Sequence, residues 1–314
     1  MEYLQPNNNN HWGSAQSSRR NSVRKIANVW NRLPMISIDQ SRISSAGHMR
    51  QQHTARFATS LVLCLVSALV LITPAAAQDA KTLSILAVGN SFTRNATNYL
   101  PATVEVSRGH RLVLDTAAIG GGPLARHCQA VETYEADSTD PKGRIYGNKS
   151  LHDKLTARRW DYVTIQQNSY LSTNPATYRP YAAKLAAYIR KHAPTAEVVI
   201  HQTWAYRADD RRFTPNSRTQ EEMYRKLTEA YQTIAGEISV KKIIPVGLAF
   251  QTARQEKERA FTFPDPDFDY KNAVKPALPN QDYSLNIGWR WNKGKLRLDT
   301  HHANARGQYL AAIV

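Results

Sequence analysis

A three-layer α/β/α sandwich around a mostly parallel five-stranded sheet is the fold class this sequence predicts. Three observations predict it. Short apolar runs alternate with amphipathic stretches, those runs end in Gly or polar residues, and no repeat or second composition block divides the C-terminal part. Strands separated by helices of about 10–15 residues favour parallel pairing, with helices covering both faces of the sheet.

The elements follow in order. Ser84–Val88 is an apolar run closed by Gly89 and suits a buried first strand. Thr97–Ser107 has helical spacing and is closed by Gly109. Leu112–Ile119 reads as a second strand ending in Gly120-Gly121-Gly122, and Tyr162–Ile165 as a third. Tyr178–His192 is an amphipathic helix, and Glu197–His201 a fourth strand. Met223, Leu227, Ala230, Tyr231 and Ile234 form a helical stripe within Gln220–Ile238, and Lys242–Val246 is a fifth strand. Between Thr252 and Trp291 the chain is rich in Pro, Asp and aromatics, which reads as a long surface excursion. Tyr309–Val314 reads as the start of a terminal helix. The expected strand order is flavodoxin-like, and such sheets bind ligands at the carboxyl ends of their strands.

Residues 1–56 are polar, with an Asn run at Asn7–Asn10, and are expected to be disordered or absent; Met49 is the candidate for the true start of translation, which would place residues 1–48 ahead of it. Residues 57–77 read as a signal peptide. Arg50 and Arg56 precede an apolar run of 16 residues, Phe57–Ile72, and Ala75-Ala76-Ala77 closes it. Cleavage is expected near Ala77, leaving 78–314 exported to the periplasm or the exterior. The run is shorter than the roughly 20 residues that span a bilayer, so no stable membrane insertion is expected after cleavage. An uncleaved anchor is the alternative.

The formal charge is +16, and from residue 78 onward 33 Lys and Arg still outnumber 23 Asp and Glu. The basic residues are scattered, without zinc-finger spacing or aromatic–basic RNA-binding stretches, so no nucleic-acid partner is expected. Cys128 is the one cysteine beyond the leader, which leaves no internal disulfide. It reads as a small buried hydrophobe, and His127 beside it as a candidate wall behind the Gly-rich block.

The polar residues at strand ends carry the chemistry. Ser91, in Gly89-Asn90-Ser91, lies between a strand and a helix. It is either a nucleophile at a sharp turn or simply the helix cap. Asp299-Thr300-His301-His302 near the C-terminus places a carboxylate where it can orient an imidazole from one loop or helical turn. His301 is the alternative base. Trp204 and Tyr206 follow the fourth strand and either line a pocket or pack in the core. No spacing among His201, His301 and His302 suits a metal ion, and Gly120–Gly122 lacks the third glycine of a dinucleotide fingerprint.

Taken together, these blocks resemble the SGNH hydrolases, the GDSL-type esterases and lipases. Gly89-Asn90-Ser91 stands for G-D-S, in a G-N-S-F-T form. Gly121 stands for the oxyanion glycine, Gln166-Gln167-Asn168-Ser169 for G-x-N-D, and Asp299 to His302 for D-x-x-H. The resemblance covers about residues 83–312. It implies a cofactor-free, metal-free serine esterase with Ser91, Asp299 and His302 as triad. The oxyanion donors would be Ser91, Gly121 and Asn168. Substrate contacts would come from Asn90, Gln167, Trp204 and His301. The implied partner is a small-molecule or glycan ester, acetyl groups on carbohydrate foremost. The alternative is a catalytically inactive glycan-binding or envelope scaffold protein on the same fold, suggested by Asn90 and the altered third block. Oligomeric state is left open.

Overall fold

The computed structural model describes residues 81–107, 109–213 and 218–314. The expected disordered segment 1–56 and signal peptide 57–77 lie outside these residues.

Five parallel strands form the central sheet: β1 (Thr82–Gly89), β2 (Arg111–Ala118), β3 (Tyr162–Ile165), β4 (Glu197–His201) and β5 (Ile243–Ile244). Their order is β2-β1-β3-β4-β5, the doubly wound flavodoxin-like order. Every pairing is parallel, so the expected mostly parallel sheet is wholly so. Leu86, Val88, Val163 and Ile200 are buried at its centre, as strands covered on both faces require.

Eight α-helices among the described residues surround the sheet. After β1 come α1 (Ser91–Thr97) and α2 (Leu100–Glu105), where one helix over Thr97–Ser107 was expected. Pro101 explains the division, since it sits in the first turn of α2, where its missing N–H costs nothing. α3 (Leu124–Ala136), α4 (Leu151–Thr156), α5 (Tyr181–His192) and α6 (Gln220–Glu237) follow. Leu124, Ala182, Tyr231 and Ile234 from α3, α5 and α6 meet Ile165 and Ile200 of the sheet around one small void. β5 is shorter than expected because Pro245 ends it and α7 (Val246–Arg254) begins at once.

The expected surface excursion ends in a hairpin of β6 (Asn286–Asn292) and β7 (Lys295–Ala303), a separate antiparallel sheet. Lys293 and Gly294 turn it with φ of 48° and 71°, the two positive values that a two-residue hairpin loop favours. The terminal helix α8 (Ala305–Ala312) packs on α1 and α7, and Asn304 caps it through the Gly307 amide. This docking brings the end of β7 to the start of α1.

Candidate active site

Gly89 ends β1 at a point with no room for a side chain. A Cβ there would lie 2.2 Å from Thr93 Oγ1 and 2.6 Å from Gln166 Oε1. The turn that follows is braced from three sides. Asn90 N donates to Gln166 Oε1 at 3.2 Å, and Thr93 Oγ1 donates to the same oxygen at 2.9 Å. His127 Nε2 lies 3.0 Å from the Gly89 carbonyl, while its Nδ1 lies 2.7 Å from the Tyr146 hydroxyl. Burial pushes His127 down to about 4, so the ring is neutral. Its Nε2–H then donates to Gly89 and its Nδ1 accepts from Tyr146.

Asn90 caps α1: its Oδ1 accepts from Phe92 N at 3.0 Å, and its Nδ2 donates to Gly122 O at 3.1 Å. The cap reading of Ser91 is thereby corrected, because the capping work falls to the preceding residue. Ser91 Oγ instead lies 2.9 Å from His302 Nε2, across 211 positions of sequence. His302 Nδ1 lies 3.0 Å from Asp299 Oδ2 and 3.2 Å from Oδ1. The Asp299 carboxylate also accepts the amides of His301 and His302 at 3.2 and 3.1 Å. Burial alone would raise this carboxyl, but these donors outweigh it and hold it at about 2. It is therefore ionised wherever His302 needs an anion behind it.

Asp299 and His302 share neither a loop nor a helical turn, as had been expected. They lie on β7, where regular alternation would send positions i and i+3 to opposite faces. A bulge removes the conflict. Gly288 pairs Asp299 and Asn286 pairs Ala303, so two steps along β6 match four along β7. The surplus residues re-aim the segment Thr300–His302, a use of bulges common near active sites. Ala303 N then donates to Asn95 Oδ1 at 3.0 Å, which fastens the end of the strand to the nucleophile's own helix.

The oxyanion candidates converge on the same rim. Gly122 N is occupied by Ile119 O at 2.9 Å. Among the described residues, the amides of Ser91 and Gly121 have no hydrogen-bond partner. Gly121 has φ +63°, a conformation that glycine adopts without strain. Asn168 Nδ2 donates to Gly121 O at 2.7 Å, tying the second-strand loop to the third-strand loop and leaving its other amide hydrogen free of that bond. Asn168 Oδ1 accepts Tyr170 N at 2.8 Å, which fixes which edge of the amide carries the donors.

Three residues expected to contact substrate do not reach the surface. Asn90, Gln167 and Trp204 are 1%, 0% and 0% exposed. Gln167 is an internal strut: its Oε1 accepts Leu124 N and Asn168 N at 3.0 and 2.8 Å, and its Nε2 donates to Thr177 O at 2.9 Å. Trp204 is stacked between Phe92 at 4.4 Å and Phe250 at 4.6 Å, and its Nε1 donates to His301 O at 2.9 Å. Tyr206 is likewise buried, its hydroxyl 3.0 Å from Ser169 Oγ. His301 is half-exposed and turned from Ser91. Its ring lies 4.2 Å from that of Tyr206, and its Nε2 lies against Arg212 and 3.1 Å from Asp210 Oδ2. Cys128 is a buried thiol that burial pushes up to about 12, as a small hydrophobe should be.

Asn95, Gln166, Arg207 and Asp210 were not anticipated as contributors to the site. Gln166 occupies the glycine position of the altered third block, and that replacement was its available signal. The other three make contacts across 90 or more positions or along a loop, which local patterning does not reveal.

A Ser–His–Asp hydrogen-bond chain at the carboxyl rim of a doubly wound parallel sheet defines the class of site. The chain belongs to the DUF4886 family, described as a domain of unknown function, whose model matches residues 84–264. It is similar to the crystal structure of a DUF4886 family protein from Bacteroides uniformis. Identity there is 26% and the TM-score 0.54, over 74% of this chain and 80% of that one. It is also similar to a candidate SGNH hydrolase from Slackia heliotrinireducens at 20% identity and TM-score 0.45, covering 74% of this chain and 96% of that one. A candidate GDSL-like lipase from Parabacteroides merdae follows at 14% identity and TM-score 0.42, over 74% and 94% of the two chains. No curated protein matches the chain.

Proposed function

We propose that this chain is a serine ester hydrolase of the SGNH kind, exported, and acting on carboxylic esters such as acyl groups on carbohydrate. The observation that carries the reading is the unbroken path from Ser91 Oγ through His302 to Asp299, with separations of 2.9 and 3.0 Å. A nucleophile, a base in contact with it and a carboxylate orienting that base are what acyl transfer through serine requires.

In this mechanism His302 Nε2 takes the Ser91 proton as Oγ attacks the ester carbonyl carbon. Negative charge moves to the carbonyl oxygen, where Ser91 N, Gly121 N and the free hydrogen of Asn168 Nδ2 receive it. The carbon–oxygen bond to the alcohol then breaks, and His302 returns its proton to the departing alkoxide. Water, deprotonated by His302, attacks the acyl-serine, and the acid leaves as Ser91 recovers its proton. Asp299, ionised throughout, holds the imidazole in the tautomer whose Nδ1 carries hydrogen.

Hydrolysis of p-nitrophenyl acetate tests the reading. Ser91→Ala and His302→Ala are each expected to lower kcat/KM by about a thousandfold or more, with the melting temperature kept. A well-folded wild type that turns over no faster than Ser91→Ala would sink the proposal and favour a non-catalytic binding protein.

A further inference from the structure

The bulge that brings Asp299 and His302 together creates a difficulty. Its residues leave the β6 ladder, so their polar groups need partners elsewhere. Most of those partners come from the chain that follows β4. Arg207 N donates to Thr300 O at 2.9 Å, and Trp204 Nε1 donates to His301 O at 2.9 Å. From β6, Asn286 Nδ2 adds a second donor to His301 O at 3.2 Å. The side chains of the bulge converge on one group. Thr300 Oγ1 donates to the Asp210 carboxylate, and His301 Nε2 lies 3.1 Å from the same oxygen.

Asp210 is 3% exposed and is itself held firmly. Arg212 donates to it through Nε and Nη2 at 2.7 Å each and through its backbone amide at 3.0 Å. Burial would raise its carboxyl, but the donors from Arg212, His301 and Thr300 hold it well below the usual range. A fixed, ionised acceptor thus grips both residues that lie between Asp299 and His302.

We infer that Asp210 is a positioning residue for the serine-hydrolase site, setting the angle of His302 toward Ser91 by holding Thr300 and His301 in the bulge. The inference rests on the esterase reading given above. Asp210 touches neither Ser91 nor His302, so it acts through the strand. A displacement of the order of 1 Å at a catalytic group can cost about a hundredfold in rate.

The test is Asp210→Asn in the full chain. An amide has one acceptor oxygen, so the two-point Arg212 fork is broken in either orientation, and with the amide nitrogen in place of Oδ2 the acceptor for the Thr300 hydroxyl is lost as well. With active sites counted by titration, kcat for p-nitrophenyl acetate is expected to fall about 10- to 100-fold, with KM within about twofold. Thr300→Val removes one contact and should fall less, and the double variant should be no slower than Asp210→Asn alone. A purely structural role would reduce the count of titratable sites and leave kcat per site unchanged, and that result would overturn the inference. The low-field proton resonance of His302 Nδ1–H supplies a readout independent of turnover. Weakening of it in Asp210→Asn supports the inference, and an unchanged resonance overturns it. If the wild type shows the resonance but no Ser91-dependent turnover, the esterase reading fails, while the resonance still decides the role of Asp210.

Discussion

The nucleophile and its base stand on two differently built regions. Ser91 sits where a regular parallel strand meets a helix, on backbone fixed by burial and by the close approach of Gly89 to Thr93 and Gln166. His302 sits on a bulged hairpin outside the central sheet, held by side-chain hydrogen bonds from a neighbouring loop. The match to the family model separates them too, since residues 84–264 include Ser91, Gly121 and Asn168 but end before the hairpin. A buried turn braced by Gln166 and His127 anchors one half of the site, and hydrogen bonds from a neighbouring loop anchor the other. The two halves meet at Ser91 and His302, at the Asn95–Ala303 bond and at the Phe92–His302 ring contact.

The comparison can be broken most sharply on the sheet side. Asn168→Ala removes a donor from the rim and unties the Gly121 loop, so kcat should fall by about 10²–10³ with the melting temperature little changed. Unaltered steady-state kinetics would show that the third-strand loop takes no part in charge stabilisation.

On the hairpin side the glycines separate strain from clash. Gly288 and Gly294 both have φ of +71°. A Cβ at Gly288 would lie 2.0 Å from both Arg207 Nη1 and Gln281 Oε1, whereas nothing lies within 4 Å of one at Gly294. Gly288→Ala should therefore cost about 2–4 kcal/mol in denaturant unfolding and disturb the base as well as the fold. Gly294→Ala should cost about 1 kcal/mol and leave activity intact. Equal costs would mean that the Arg207 contact does not constrain the hairpin.

The smallest effect is a pH slope. Burial lowers His127 and His201 from 6.5 to about 4. Between those values the unfolded chain binds their protons and the folded chain does not, so stability must fall as pH drops through that window. The slope approaches about 1.4 kcal/mol per pH unit for each imidazole. Asp299, held at about 2, adds its own loss only below the ordinary carboxylate range. Urea unfolding at several pH values checks this, and a curve flat between 6.5 and 5 would contradict the burial of these rings as neutral groups.

The two regions also differed in how far they could be read from sequence. Tyr162–Ile165 and Glu197–His201 are strands with the expected bounds, because continuous apolar runs between polar breaks have few other solutions. Ser91 and His302 were found through short blocks at strand ends. The hairpin was not found. Residues 286–303 mix polar and apolar side chains without clean alternation, and the bulge disrupts the period further. Lys293-Gly294 was the one turn signal available. Trp204, read as either pocket wall or core, and Gln167, taken as a substrate contact from the resemblance, both follow strands at the ligand-binding rim. They proved to be struts, since position along a strand end does not say whether a side chain turns outward or back into the core.

Labelling with a fluorophosphonate probe tests the central claim most directly, because only an activated serine attacks the phosphorus. A single adduct mapped to Ser91 in the wild type, strongly slowed in His302→Ala and absent in Ser91→Ala, is the predicted result. A folded wild type that stays unlabelled, or carries the adduct on another residue, would contradict it.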